Sequence, residues 1–390
     1  MARSATTIGK MLRRLTTLLA LAIATTSCSS ITGADLTTPP PEVTVTSTGD
    51  VTDSPPATPG PPGLAVVPEG GADLYESPAG TVLQTVHQGL ILPVLGVDGS
   101  WLEVMDSCSN PVWVNQGDVT IVPAASPQPP GQGFDLTRAV VIVDAGHGGR
   151  DWGAPGIDGT RESDFNLDIA DRLRDLLLTS HDVDWESGRI VSGATYPAVS
   201  GAHMTRDTAG PDEGDFEAGL AYRATMANSV GADALIAIHN NTGTDRTFQD
   251  PPRAVFYALS VDGSDRLASL IDEELVRSFD PYATEWQGSG IQGTASRRDV
   301  DTGSDFYGLL RRSEAPAVII EGVYVTDPAQ NQLLQTTVFR QAYAEGIYRG
   351  LVRFLTTDET GSPINEPIDF QGNVGSPTTT NCVVPEQRVP

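Results

Sequence analysis

What most constrains the fold of this chain is the spacing of its short apolar runs. Between residues 138 and 356 lie AVVIV at 139–143, ALIAI at 234–238, RAVFYAL at 253–259 and AVII at 317–320. Runs of this length without polar alternation are buried on both faces, as in parallel sheets. Between them the period changes from two to 3.6. In ESDFNLDIADRLRDLLL, Phe165, Ile169, Leu173, Leu176 and Leu177 fall on one helical face. The stretches GLAYRATMANSV, DRLASLIDEELVRSF and TTVFRQAYAEGIYRGLVRFL read as further helices. Strands alternating with helices predict an α/β domain over 138–356, its central sheet mostly parallel and flanked by helices.

The unusual polar residues stand where these runs end. His147 follows the first run, wrapped by Gly146, Gly148 and Gly149; His239 ends the second; Glu321 ends the fourth. In an open α/β sheet the carboxyl ends of the strands border the ligand crevice, so these side chains should converge there. Glu162, 15 residues after His147, opens the first amphipathic helix at the same edge. Singly, each has an ordinary explanation: a histidine filling a turn, a glutamate paired with an arginine such as Arg311, an acid favoured by a helix dipole. Together, His147, Glu162 and His239 make two imidazoles and one carboxylate with a fourth position open to water, a catalytic zinc set. Glu321, outside that set, is the natural proton acceptor, since a carboxylate emerging from an apolar strand has a raised pKa. Asn241, just past His239, is placed to orient substrate or polarise its carbonyl.

Other chemistries find less support. No Gly-x-Ser-x-Gly elbow occurs, and no cysteine lies within 138–356, which excludes a thiol nucleophile there. GSGIQG at 288–293 follows a polar run rather than a buried strand and reads as a loop. With 50 acidic against 24 basic residues and a net charge of -26, nucleic acid and anionic lipid surfaces are disfavoured partners.

The rest of the chain reads in segments. Residues 1–27 carry Arg3, Lys10, Arg13 and Arg14 ahead of a short apolar core, the order of a secretory signal peptide. Cys28 follows small residues in a pattern that resembles a bacterial lipoprotein lipobox, with Thr25 departing from it. Lipidation at Cys28 would tether the chain to the outer face of the cytoplasmic membrane, and simple secretion is the alternative. Residues 28–62 are rich in Thr, Pro and Ser and are expected to be a disordered linker. Residues 63–123 alternate short apolar runs with turns and predict a small all-β domain. It resembles the bacterial SH3-like modules attached to cell-wall enzymes, with Trp101 and Trp113 expected in structural roles. A linker at 124–137 and a loop-rich tail at 357–390 complete the chain. Cys108 and Cys382 either pair or remain free thiols.

Six stretches resemble, in order, the zinc-dependent N-acetylmuramoyl-L-alanine amidases of family 3: VDAGHGGRDWGAPG, Glu162 before SDFNLDIA, TRD at 205–207, RATMAN at 223–228, IAIHNN and LLRRSEAPAVIIEG. The resemblance covers 138–356. It implies that His147, Glu162 and His239 bind zinc and that Glu321 is the catalytic glutamate. It further implies that the substrate is peptidoglycan, cut between muramic acid and L-alanine. Arg311 falls where the family commonly places an arginine. The run after Glu321 (Gly322, Val323, Tyr324, then Asp327) departs from the family. Between the first helix and TRD, an extended segment at 180–203 is a candidate gate over the crevice, and its histidines, His181 and His203, do not fit the ligand pattern. Two alternatives stay open: a non-catalytic wall-binding protein that kept the fold, and a zinc peptidase acting on the stem peptide.

Overall fold

The structure is a computed structural model that describes residues 63–126, 128–206, 218–282, 285–371 and 384. The expected signal peptide at 1–27, Cys28, the expected linker at 28–62 and Cys382 lie outside the described residues.

The first seven strands form one antiparallel sheet: β1 (Gly63–Val66), β2 (Ala72–Tyr75), β3 (Val82–Val86), β4 (Ile91–Asp98), β5 (Trp101–Met105), β6 (Pro111–Asn115) and β7 (Thr120–Pro123). Their order is β3-β2-β6-β5-β4-β1-β7. Alternation buries Leu92, Val94, Leu102, Val104, Val112 and Val114 on one face. Trp101 packs edge-on against Tyr75 with ring centroids 4.9 Å apart, and Trp113 pairs with Tyr75 across β2 and β6.

After this unit come β8 (Val140–Ala145), α1 (Glu162–Leu177), a hairpin of β9 (His181–Asp184) and β10 (Arg189–Ser192), β11 (Gly201–Met204) and α2 (Leu220–Val230). The chain continues through β12 (Ala234–Asn241), β13 (Arg246–Phe248), β14 (Ala254–Tyr257) and α3 (Ser264–Phe279). It then forms β15 (Trp286–Gly288), β16 (Gly293–Ala295), β17 (Arg297–Asp299), α4 (Gly308–Arg312), β18 (Ala317–Tyr324), α5 (Pro328–Leu334), α6 (Thr337–Thr356) and β19 (Ile368–Phe370).

The central sheet runs β11-β8-β12-β18-β14-β16. Every neighbouring pair is parallel except β18–β14, so the sheet is mixed. The reversal follows from the connection. A parallel return needs a crossover, usually a helix, and no helix separates β12 from β14, so the chain re-enters the sheet from the edge at which β12 left it.

Alternate residues of the central strands point to opposite faces. Val141, Val143, Ile236, Ile238, Val318 and Ile320 face α1, α3 and α6. Val140, Ile142, Leu235, Ala237, Ala317 and Ile319 belong instead to a core shared with α2, α4 and the inner face of the N-terminal sheet. All described residues belong to one compact unit. The segment at 124–137 is pinned to it by Ala125 N donating to Val230 O (2.8 Å) and Gly131 N to Leu355 O (2.9 Å). Among the described residues no helix is long and apolar enough to cross a membrane.

Candidate metal centre

Strand β8 ends at Ala145, and the backbone then turns through Gly146 into His147, whose φ of +63° lies in the left-handed region. A non-glycine residue pays for that conformation only where its surroundings hold it. They do so here with two buried arginines. Arg206 donates to the carbonyls of Ala145 (2.8 Å), Gly146 (3.0 Å) and Ser163 (2.9 Å). Arg223 of α2 donates to Ala145 O (2.8 Å), to His147 O (2.7 Å) and to the Asp144 carboxylate. Burial raises the Asp144 carboxyl, but Arg223 and the Thr205 hydroxyl outweigh it and hold the group below the usual range.

His147, Glu162 and His239 come together around one point. His147 Nε2 and His239 Nδ1 each lie 3.3 Å from Glu162 Oε1, and the imidazoles meet edge to face with centroids 4.8 Å apart. Two glycines make room for this. A Cβ on Gly146 would overlap the His239 ring, and one on Gly153 would overlap Glu162 and His147. Glu162 opens α1 at 3% exposure. Its Oε2 accepts from Ala154 N (2.8 Å), and its Oε1 accepts from Asn240 N (3.1 Å) and Asn166 Nδ2 (3.2 Å). Burial pushes this carboxyl up, yet hydrogen bonds from both imidazoles bring it well below the ordinary glutamate value. His147 Nδ1 sits 2.8 Å from Asp151 Oδ2. Burial alone would lower that imidazole, but Asp151 and Glu162 carry it up to about 10. Glu162 thus lies between the two rings, and Asp151 lies on the far side of His147.

The chemistry of this donor set suits a zinc ion, and its three ligand atoms lie within 4.8 Å of one another. Tetrahedral ligands at about 2.0–2.2 Å stand about 3.3–3.6 Å from one another, the range in which both imidazole nitrogens lie from Glu162. Asp151 behind His147 has the position of the outer carboxylate that fixes the tautomer of a ligating histidine. Among the described residues this is the one group of three or more such side chains able to share an ion.

Glu321 is the register partner of His239 across the parallel β12–β18 pair, so the two side chains leave the sheet on the same face. Burial pushes its carboxyl up to about 7; His239 pulls it down and the charge on Glu162 adds to the rise. His147, His239 and Glu321 line a cavity of about 270 Å³ together with Gly219, Leu220 and Tyr307.

Other residues marked in the sequence lie elsewhere. Arg311 Nη1 donates to Asp305 O (2.6 Å) and Phe306 O (3.3 Å), holding the loop before α4. Asn241 Oδ1 accepts from Thr242 N (2.9 Å). Neither lines the cavity. The 180–203 segment does not lie over the site. It starts beyond the C-terminal end of α1, a 16-residue helix whose first residue is Glu162, about 24 Å along the axis. There His181 packs on Tyr348 of α6, and Gly188 O accepts from Arg349.

Sequence reasoning missed Asp151, Asn166, Asn240, Arg206 and Arg223. Asp151 was findable, four residues after His147 in the same glycine-rich turn.

Fold and site define a mixed α/β protein with a two-histidine, one-carboxylate cluster at the strand ends and an acid beside it. The family model described as N-acetylmuramoyl-L-alanine amidase matches residues 141–353, and the chain belongs to that family. It is similar to N-acetylmuramoyl-L-alanine amidase AmiC of Escherichia coli O6:H1, at 24% identity over 63% of this chain and 60% of that protein. It is also similar to N-acetylmuramoyl-L-alanine amidase AmiA of Escherichia coli K12, at 26% identity over 56% of this chain and 76% of that protein. Among solved structures, N-acetylmuramoyl-L-alanine amidase AmiC2 of Nostoc punctiforme matches 56% of this chain and 97% of its own length, with 26% identity and a TM-score of 0.41.

Proposed function

We propose that this chain is an exported, zinc-dependent N-acetylmuramoyl-L-alanine amidase that cuts peptidoglycan between the lactyl group of muramic acid and L-alanine. The observation that carries the reading is the pair of 3.3 Å separations from Glu162 Oε1 to the two imidazole nitrogens, with Glu321 in register beside His239.

His147, Glu162 and His239 would hold the metal, which when bound polarises the amide carbonyl and acidifies the attacking water. Glu321 takes a proton from that water as the water oxygen bonds to the amide carbon. As the carbon–nitrogen bond breaks, Glu321 returns the proton to the departing amine, leaving a lactyl carboxylate and a free L-alanine terminus. Asp151 keeps His147 oriented, and the Asn166–Asn240 pair keeps Glu162 oriented.

The antiparallel unit at 63–123 is read as an SH3-like module. The N-terminal 27 residues are read as a signal peptide and Cys28 as a lipid tether, which would put the enzyme at the cell envelope. Neither Arg311 nor Asn241 receives a role in this account.

Peptidoglycan incubated with the purified protein and zinc tests the reading. New N-terminal L-alanine is expected, and Glu321→Gln should keep its zinc while losing at least a hundredfold in turnover. A different new amino terminus would point to a stem peptidase. Zinc uptake with no cleavage would point to a binding protein.

A further inference from the structure

The turn that joins β5 to β6 reaches the metal site through α2. The turn is closed by its own hydrogen bonds: Asp106 N donates to Asn110 O (2.9 Å), Ser109 N to Asp106 O (2.9 Å) and Asn110 N to Asp106 Oδ1 (2.8 Å). Cys108 within it is disulfide-bonded, its partner lying outside the described residues. Ser109 has a φ of +70°, a left-handed conformation that disfavours a side chain.

Helix α2 needs this turn. Its N-cap residue is Gly219, which has no side chain to offer the first backbone amides. The β5–β6 turn supplies what is missing. Ser109 Oγ accepts from Tyr222 N (3.1 Å), and Ser107 O accepts from Gly219 N (2.7 Å). The fit is close enough that a Cβ on Gly219 would overlap Ser109 Oγ. Farther into the same unit, Tyr222 Oη donates to Ile91 O (2.6 Å). One residue beyond Tyr222 is Arg223, whose guanidinium holds Asp144, Ala145 O and His147 O.

We infer that the β5–β6 turn is an external N-cap for α2, through which Ser109 positions Arg223 and so the backbone of His147. The N-terminal β unit is on this view a component of the catalytic site and not a detachable appendage. Ser109 touches no substrate and is a positioning residue. The inference rests on the zinc reading of the site but concerns which residues set its geometry.

Zinc affinity of the full chain, measured by competition with a chelating dye, tests it alongside the melting temperature of the zinc-free protein. Ser109→Gly removes the hydroxyl while relieving the left-handed strain, so the fold should be retained. Its zinc affinity is expected to fall about fivefold, the size of a lost helix cap. Gly219→Ala keeps Ser109 but forces it away from α2, and should weaken zinc by a similar factor. Because both changes break one contact, the double variant should bind zinc no more weakly than the worse single variant. Zinc affinity unchanged in both single variants, with only melting temperature altered, would overturn the positioning role. So would losses that multiply in the double variant. A wild-type chain that takes up no zinc would instead overturn the metal reading on which the inference stands.

Discussion

At the scale of single residues, the candidate site was legible where chemistry and topology coincide. His147, His239 and Glu321 stand out because each follows an apolar run that reads as a buried strand, and Glu162 because it opens the helix after the first one. Apart from Asp151, the residues that hold them were not legible. Asn166 sits in the second turn of α1, where an asparagine carries no signal, and Arg206 and Arg223 turn their guanidinium groups mainly to backbone carbonyls that a sequence does not display. Asp151 is the most accessible of these supports to experiment, half-exposed and 2.8 Å from His147 Nδ1. Asp151→Ala should leave the fold intact and weaken zinc binding by about 10–100-fold, the range for outer partners of ligating histidines. Titration with zinc against a chelator reads this directly, and an unchanged affinity would show that the carboxylate does not orient the ring.

At the scale of elements, apolar period identified strands and helices well. The face of α1 marked by Phe165, Ile169, Leu173, Leu176 and Leu177 is buried throughout. Direction was another matter. The run at 253–259 looks like any other buried strand, but β14 lies antiparallel to β18 because of how the chain enters it, which its own residues do not encode. The hairpin β9–β10 escaped for a related reason: its residues are half-exposed and polar. Close helix packing is also invisible in composition. Gly350 brings α6 against α3 so tightly that a Cβ there would overlap the backbone of Ile271. Since α6 also carries Tyr343, whose hydroxyl donates to His239 O (3.1 Å), the crossing bears on the site. Gly350→Ala should destabilise the fold by about 1–3 kcal/mol, the usual cost of overpacking. A denaturation midpoint matching that of the wild type would show that the two helices can part at no cost.

At the scale of the whole molecule, the sequence divides into segments that the structure joins. A linker of Pro, Gly and Gln between a β unit and an α/β unit suggests separate bodies, whereas one apolar core passes from Val104 and Val114 to Tyr222 and Leu235. Such continuity depends on which outer faces meet, and no local pattern records that. The buried Asp144–Arg223 pair lies under the same region and links acid stability to the site. Its carboxyl is lower in the folded chain than its unfolded value of about 3.9. Its contribution is therefore full above that pH and is lost as pH falls through the folded value. Asp144→Asn should cost about 3 kcal/mol at pH 7 by leaving Arg223 without its counter-charge, and the variant should lose less further stability than the wild type on acidification below about pH 4. Parallel acid limbs in urea denaturation series would contradict this.

The account depends most on three side chains sharing one ion. Anomalous diffraction at the zinc edge from crystals grown with zinc tests it directly. One peak per chain is expected, at about 2.0–2.2 Å from His147 Nε2, Glu162 Oε1 and His239 Nδ1. A chain that binds no zinc there, or a peak that excludes any of the three, would contradict it.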